Sequence, residues 1–352
     1  MLRRIATGIA CGVLCAMVCA AEPENPGELE TVVITGEQPG PGLWKVSKGD
    51  HVMWVLATYG PLPKGMIWNT KEIASRVAES QEVLYAPTIS IGANIGIFRG
   101  LSLIPAAMKA SKLPDDQTLK DVLPADSYSR WLALRQKYMG KDDDVERRRP
   151  GIAIEMLRGA MVRKLGLDGG PDVLEVVGDI RKQHKVARNA LPPVKRTVRV
   201  ENPRGMLKSA SKLETPDLDC FIRRLDTIEA DVQRTRDIAN AWSRGNVGKL
   251  RELYRVRSRD EMLQESCAYV LMTALQEGGT QDATRAKKTL DDAMWHAEQA
   301  SVQARINWVA AAQKSLEKNR STFALLPVAE LFSPDGHLEK LRVLGYAVEA
   351  PL

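Results

Sequence analysis

Histidine and cysteine are the residue types best suited to metal binding, acid–base catalysis or redox chemistry, and both are scarce in this chain. The histidines are four among 352 residues, His51, His184, His296 and His337. No two of them have the spacing of a metal site, so we expect each to be a surface or packing residue. The sequence also contains no nucleophile elbow, no His-Glu-x-x-His pair and no phosphate-binding loop. Without such a motif, the sequence does not indicate a particular reaction.

Three of the five cysteines lie in an N-terminal segment that has the layout of a secretory signal peptide. Arg3 and Arg4 precede an uncharged stretch, residues 5–18, and small residues up to Ala20 offer a cleavage site. We expect residues 1–20 to be removed and the protein to be periplasmic or secreted. A membrane anchor is the less favoured alternative, because the apolar stretch is shorter than the roughly 20 residues of a span.

The two remaining cysteines, Cys220 and Cys267, are predicted to form a disulfide. An even number of cysteines in an exported chain permits pairing in an oxidising compartment. Closing this loop would stabilise the fold by about 3–4 kcal/mol. The alternative is a pair of buried free thiols.

The composition is that of a soluble globular protein, with 44% hydrophobic and 27% charged residues. It excludes collagen, low-complexity disorder and a small disulfide scaffold. Residues 21–42 are rich in Pro, Gly and Glu, which predicts a flexible leader. Within it, the string Glu-Thr-Val-Val-Ile-Thr-Gly at 30–36 resembles a TonB box, an extended segment captured by strand addition. A short β-rich leader segment is the alternative to such a TonB contact.

Hydrophobic periodicity predicts strands near both ends of the mature chain and helices between them. Predicted strands are 43–47, 52–58, 83–85, 194–200, 322–328 and 346–349. Predicted helices are 70–81 with a capping box of Asn69 and Glu72, 172–188, most of 215–320, and a terminal helix from about Pro334. Ser333 is the predicted N-cap of this terminal helix, Gly345 its stop, and Leu344 part of its buried stripe.

This order of elements predicts an α+β fold, in which a mixed sheet built from both chain ends carries a large helical middle. We expect one domain over residues 43–352, with a helical insertion at about 215–320. No internal repeat is present in the sequence.

Four stretches resemble the TraB/GumN family, which also includes the Tiki-type metalloproteases. They are Gly42–Val46 with Val55–Pro63, the helix from Lys71 leading to Val83-Leu84, the Trp-Ser-Arg-Gly-Asn segment 242–246, and Asn319–Glu349. Together they span nearly all of the mature chain. The resemblance implies a mixed α/β fold in which two Gly-x-x-His motifs meet and hold a divalent metal for hydrolysis.

This sequence departs from the family at those two motifs. The first reads Ala57-Thr58-Tyr59-Gly60 and the second Pro327-Val328-Ala329-Glu330, so Gly60 and Glu330 stand at the histidine positions. Glycine has no side-chain ligand, and one carboxylate is a poor site for a transition metal. We therefore expect no cofactor and a binding or regulatory role in the cell envelope. The alternative is a metal-dependent hydrolase with relocated ligands, for which Glu330, Asp335 and His337 are the candidate donors.

The strongest charge bias of the chain lies in residues 181–212, which hold ten Lys or Arg against the single acid Glu201. Such a segment can contact anionic lipid, polysaccharide or an acidic partner. A solvated basic face is the alternative. Nucleic acid is not expected, because aromatic residues are not interleaved with the charges. An envelope peptide, protein or polysaccharide remains the expected class of partner.

Overall fold

The structure is a computed structural model that describes residues 36–214, 217–254, 266–267, 269–270, 273–274 and 280–351. Eight strands are present in this part of the chain: Leu43–Lys48 (β1), His51–Thr58 (β2), Glu82–Tyr85 (β3), Ile89–Ala93 (β4), Ala187–Ala190 (β5), Val194–Val198 (β6), Ser321–Pro327 (β7) and Ala347–Glu349 (β8). Six of them form one sheet in the order β5-β3-β7-β2-β1-β8, and β4 pairs with β6 in a separate sheet. Both chain ends contribute to the large sheet, as predicted.

The large sheet is mixed, and its centre is parallel. β1 and β2 form an antiparallel hairpin, whose turn contains Gly49 at a φ of +63°. β7 runs parallel to both β2 and β3. Residues 322–326 of β7 are all buried, which explains the uninterrupted apolar run Phe-Ala-Leu-Leu.

Helices cover the sheet and make up most of the middle of the chain. They are Lys71–Ala78 (α1), Ile97–Ala110 (α2), Leu119–Val122 (α3), Ala125–Met139 (α4), Pro150–Lys164 (α5), Val173–Gln183 (α6), Pro203–Ala210 (α7), Leu218–Ser243 (α8), Val247–Leu253 (α9), Gln281–Lys318 (α10), Val328–Phe332 (α11) and His337–Val343 (α12). In the described part of the chain, none combines the length and the apolar content needed to cross a membrane.

The buried side chains form two large groups. One surrounds the six-stranded sheet, and the other lies among α3, α4, α5 and α8. Trp131 and Phe221 pack with ring centroids 5.6 Å apart in the helical group. The predicted cysteine pair belongs to this group too, because Cys220 on α8 lies at disulfide distance from Cys267, with 5.5 Å between their Cα atoms.

The helix predicted over 172–188 was too long. α6 ends at Gln183, and Lys185 then takes a φ of +55°. The Val186 amide donates to the Arg181 carbonyl, which closes the helix end. Residues 187–190 form β5 and pair with β3 instead, so the amphipathic pattern that predicted the helix extends into a strand.

The terminal helix begins three residues later than predicted, and its buried stripe differs. α12 starts at His337 after Gly336, while Ser333 ends the separate helix α11. A side chain at Gly336 would collide with the Glu330 carbonyl, so the turn requires glycine. Leu338 and Leu341 are buried, whereas Leu344 is 45% exposed. Gly345 follows with a φ of +85°, as expected for a helix stop.

The predicted capping box before α1 was also wrong. Thr70 is the N-cap residue of this helix and makes no side-chain cap bond. The Asn69 side chain accepts a hydrogen bond from the Lys71 amide instead. Asn69 therefore stabilises the turn that enters the helix, one residue before the cap.

Candidate functional site

A cavity lies beyond the carboxyl ends of two neighbouring parallel strands. β2 and β7 run in register, with Thr58 opposite Pro327. Crevices at this end of parallel strands are common ligand sites, because the connecting loops diverge there. The segments that follow the two strands, residues 59–62 and 328–329, both line the cavity.

The cavity has a volume of about 580 Å³, and its walls are mainly apolar, prolyl and aromatic. Four parts of the chain contribute: the end of β2, the turn into α6, the residue after α9, and the junction of β7 with α11. The lining residues are Thr58, Tyr59, Gly60, Pro61, Leu62, Gly170, Pro171, Asp172, Val173, Leu174, Tyr254, Pro327, Val328 and Ala329. This size is within the range of small-ligand pockets, about 300–1,000 Å³.

The turn into α6 is fitted closely against the segment after β2. The Gly170 amide donates to the Leu62 carbonyl at 2.9 Å. A Cβ at Gly170 would collide with the carbonyls of Leu62 and Pro63, so only glycine permits this approach. The two walls of the cavity are thereby held together.

Tyr59 presents a neutral phenol to the cavity. Burial, followed by the neighbouring Tyr254, raises its pKa to about 12, which outweighs the opposing effect of Arg158. Its hydroxyl donates to the Thr235 carbonyl at 3.3 Å. Tyr59 therefore stays protonated at physiological pH.

Asp172 supplies the one carboxylate among the residues that line the cavity. It is the N-cap of α6, and its Oδ1 accepts a hydrogen bond from the Leu174 amide at 2.8 Å. The residue is exposed at the rim. It can attract a cationic group while it caps the helix, but it has no second acidic or imidazole partner in the lining.

The first degenerate motif is divided between the core and the cavity. Ala57 is buried in β2, and its carbonyl accepts a hydrogen bond from Trp242 Nε1 at 2.7 Å. Gly60 lines the cavity, and a Cβ built there would meet no atom within 4 Å. The space beside Gly60, which we matched to the first family histidine, is thus open.

In the second motif, the Glu330 carboxylate lies outside the cavity lining. Pro327 lines the cavity, but Glu330 does not. Glu330 Oε2 instead accepts hydrogen bonds from Arg305 Nε of α10 at 3.2 Å and from His337 Nδ1 of α12 at 2.9 Å. Burial alone would raise the pKa of Glu330, but His337 and then Arg305 lower it below its ordinary value.

The three alternative metal donors do not make a metal site. Glu330 and His337 are brought together, but the Arg305 guanidinium neutralises the carboxylate that a cation would need. Asp335 lines a different groove, beside Glu339 and Leu344. Within the described residues no three His, Cys, Asp or Glu side chains are grouped as metal ligands. The divalent metal that the family resemblance implies therefore does not fit these residues.

The other predicted positions serve local structure or lie outside the described residues. His51 Nδ1 is 2.8 Å from the Asn319 carbonyl, beside the first hairpin. The basic segment 181–212 is distributed over the end of α6, β5, β6 and α7 rather than along one helix. Residues 1–35, which include the predicted signal peptide and all of the TonB-box-like string except Gly36, are outside the described part of the chain.

The sequence patterns did not predict that the start of α6 and Tyr254 line the cavity. A signal for the wall was present in Gly-Gly-Pro-Asp at 169–172, which combines a tight turn with an N-cap residue immediately before a helix. Tyr254 follows α9, which begins after the third family-like stretch. There Gly245 takes a φ of +67° and Asn246 caps α9 through the Lys249 amide.

The chain matches the TraB/PrgY/gumN family over residues 42–350. This match covers nearly all of the sequence beyond the leader, so the chain belongs to the TraB/PrgY/gumN family. Comparison with curated proteins and with solved structures gave no match. The family assignment therefore rests on sequence, and the chemistry must be argued from the site.

Proposed function

We propose that this member of the TraB/PrgY/gumN family is an exported envelope protein that binds a ligand in the cavity between β2, β7 and α6 without catalysing a reaction on it. One observation carries the proposal. The segments that follow β2 and β7 both line this cavity, and the two positions that we matched to family histidines place no imidazole there, because one is Gly60 and the other, Glu330, lies outside the lining.

The lining favours an apolar peptide segment as the ligand. Three prolines and two tyrosines provide flat, rigid surfaces for aliphatic or aromatic side chains. Exposed Asp172 at the rim offers one acceptor for a Lys or Arg side chain of such a peptide. The Tyr59 hydroxyl already donates to the Thr235 carbonyl, so Tyr59 offers a ligand its ring.

The signal-like N-terminus and the pairing of Cys220 with Cys267 support export. Disulfides persist in oxidising compartments and are rare in the cytosol. A periplasmic or secreted location would also bring the cavity into contact with envelope peptides and with peptide segments of envelope proteins.

Selection from a random peptide library displayed on phage tests the proposal. The mature protein should enrich peptides with apolar or aromatic residues, and Gly60→Trp should abolish their binding by filling the open space beside Gly60. Gly96→Trp is the matched control, because a Cβ there also meets no atom within 4 Å and Gly96 lies outside the cavity lining. Failure to enrich peptides, or equal binding by Gly60→Trp, would refute a peptide-binding cavity.

A further inference from the structure

α2 carries an apolar stripe that faces away from the body of the protein. Its large apolar side chains are between 50% and 88% exposed: Ile97, Phe98, Leu101, Ile104 and Met108. Residues 97, 101, 104 and 108 recur at helical spacing and form one face. Leu103 and Ala110 are buried on the opposite face. A contiguous exposed apolar stripe of this kind marks an interaction surface.

A basic groove flanks this stripe. It lies between the C-terminal half of α2 and α7, has a volume of about 690 Å³, and includes Lys109, the residue after Met108. Its charged residues are five basic and two acidic: Lys109, Lys112, Arg204, Lys208, Lys212, Asp115 and Asp116. Positive charge therefore predominates beside the apolar face.

Most of the groove's positive charge is available to an outside partner. Lys112 lies 4.0 Å from Asp144, and Asp116 lies 4.0 Å from Arg147. For Lys109, Lys208 and Lys212, the described residues provide no carboxylate within 4 Å.

The relative position of α2 and α7 is fixed by side-chain bonds to the ends of both helices. Arg149 is fully buried, and its guanidinium donates to the carbonyls of Ala110 at 2.9 Å and Ala210 at 2.6 Å, the last residues of the two helices. Arg204 of α7 also donates to the Ser102 carbonyl of α2 at 3.0 Å. The apolar stripe and the basic groove are thus presented as one preformed surface.

We propose that this surface docks on a bilayer that contains anionic phospholipid. The exposed face of α2 would lie in the interface between headgroups and acyl chains, and the lysines of α2 and α7 would contact lipid phosphates. Interfacial helices combine an apolar face with Lys and Arg in this way, and each basic residue near an anionic surface adds to the attraction. The surface is separate from the cavity at β2 and β7, so the two proposals fail independently.

Vesicle flotation of the mature protein tests this docking. We expect binding to vesicles of phosphatidylethanolamine and phosphatidylglycerol, little binding to vesicles of phosphatidylcholine alone, and weaker binding as salt is raised. Equal binding to both kinds of vesicle, or to neither, would overturn the proposal.

Charge reversal in the groove separates specific docking from net charge. Lys208→Glu with Lys212→Glu should weaken binding to anionic vesicles by about tenfold or more. Lys71→Glu with Lys141→Glu makes the same change in net charge at exposed positions elsewhere. Equal losses in the two double variants would contradict a role for this groove.

Removal of the apolar stripe separates docking from self-association. Leu101→Ser with Ile104→Ser should reduce flotation without changing the melting temperature, because both side chains already face solvent. Val343→Ser with Leu344→Ser is the control at another exposed apolar site. If light scattering shows a dimer that only the α2 variant disrupts, and vesicle binding is unaltered, a second copy rather than lipid covers the stripe.

Discussion

At the residue scale, the carboxylate of Glu330, which we matched to the second family motif, is occupied by two side-chain partners. Its carboxylate is paired with Arg305 and His337, and the buried His337 ring packs edge-on against Trp308 with 5.0 Å between centroids. The group links β7 and α11 with α10 and α12. The structure thus gives Glu330 a role in holding these elements together.

Glu330→Gln should destabilise the protein by about 1–3 kcal/mol at pH 7, because it removes a charge-assisted network. The folded-state pKa of Glu330 is lowered, so the stabilisation is complete above the ordinary Glu pKa, about 4.3, and is lost as pH falls through the folded value. Urea unfolding at pH 7 and at pH values below about 4 measures this difference.

The control for that experiment is Glu339→Gln. Glu339 pairs with Arg342 at 2.8 Å, but both side chains are almost half exposed, so the variant should change stability by no more than about 1 kcal/mol. A stability difference between wild type and Glu330→Gln that is the same at both pH values would contradict the ionised network.

At the element scale, chain order and periodicity predicted the shared sheet and most helices, but not where individual elements stop. The hairpin β1–β2, the strand β7 and the break at Gly245 follow from local patterns. The ends of α6 and α12 depend on a backbone turn at Lys185 and a close approach at Gly336. Amphipathic periodicity does not contain that tertiary information.

The revised placement of α12 predicts different effects for substitutions at Leu341, within the helix, and at Leu344, its C-cap residue. Leu341→Asp should destabilise the fold by about 3 kcal/mol or more, because it buries a carboxylate without a partner. Leu344→Asp should stay within about 0.5 kcal/mol of wild type, since this side chain is 45% exposed. Thermal and urea unfolding of the pair measure the contrast, and similar losses in both variants would refute the burial pattern.

The joining of α2 and α7 through Arg149 is testable in the same way. Arg149→Met should cost about 3–5 kcal/mol, because it leaves buried carbonyls at the ends of both helices without their donor and removes the positive charge that interacts with the buried Asp217 carboxyl. Arg147→Met is the control, as the Arg147 side chain is 55% exposed. An Arg149→Met protein with wild-type unfolding would show that the guanidinium does not hold these helices.

At the scale of the whole molecule, the disulfide connects α8 to a segment 47 residues further along the chain. Replacing Cys220 and Cys267 by Ser should lower stability by about 3–4 kcal/mol through loss of this loop closure. Exported, unreduced protein should show no thiol reactive toward maleimide under denaturing conditions, and two after reduction. Full thiol reactivity before reduction would contradict both the disulfide and its support for export.

The sequence led to part of the cavity but not to its composition as a whole. Gly60 and Pro327 were singled out by matching the chain to the two family motifs, and the parallel pairing of β2 with β7 brings both into the lining. Asp172 and Tyr254 reach the same cavity from distant parts of the chain. The direction of the Glu330 side chain depends on Arg305, 25 residues earlier, and only the packing of α10 against α11 and α12 reveals it.

We propose above that the cavity between β2, β7 and α6 binds its ligand without a metal. The most direct test is the stoichiometry of zinc, manganese, iron and calcium in mature protein that was exported with its native signal and never exposed to chelator. We predict folded protein with nearly no bound metal, unchanged in Glu330→Ala and Asp172→Asn. About one metal ion per chain in the wild type, lost in either variant, would mean that a rebuilt metal site exists and would contradict the account.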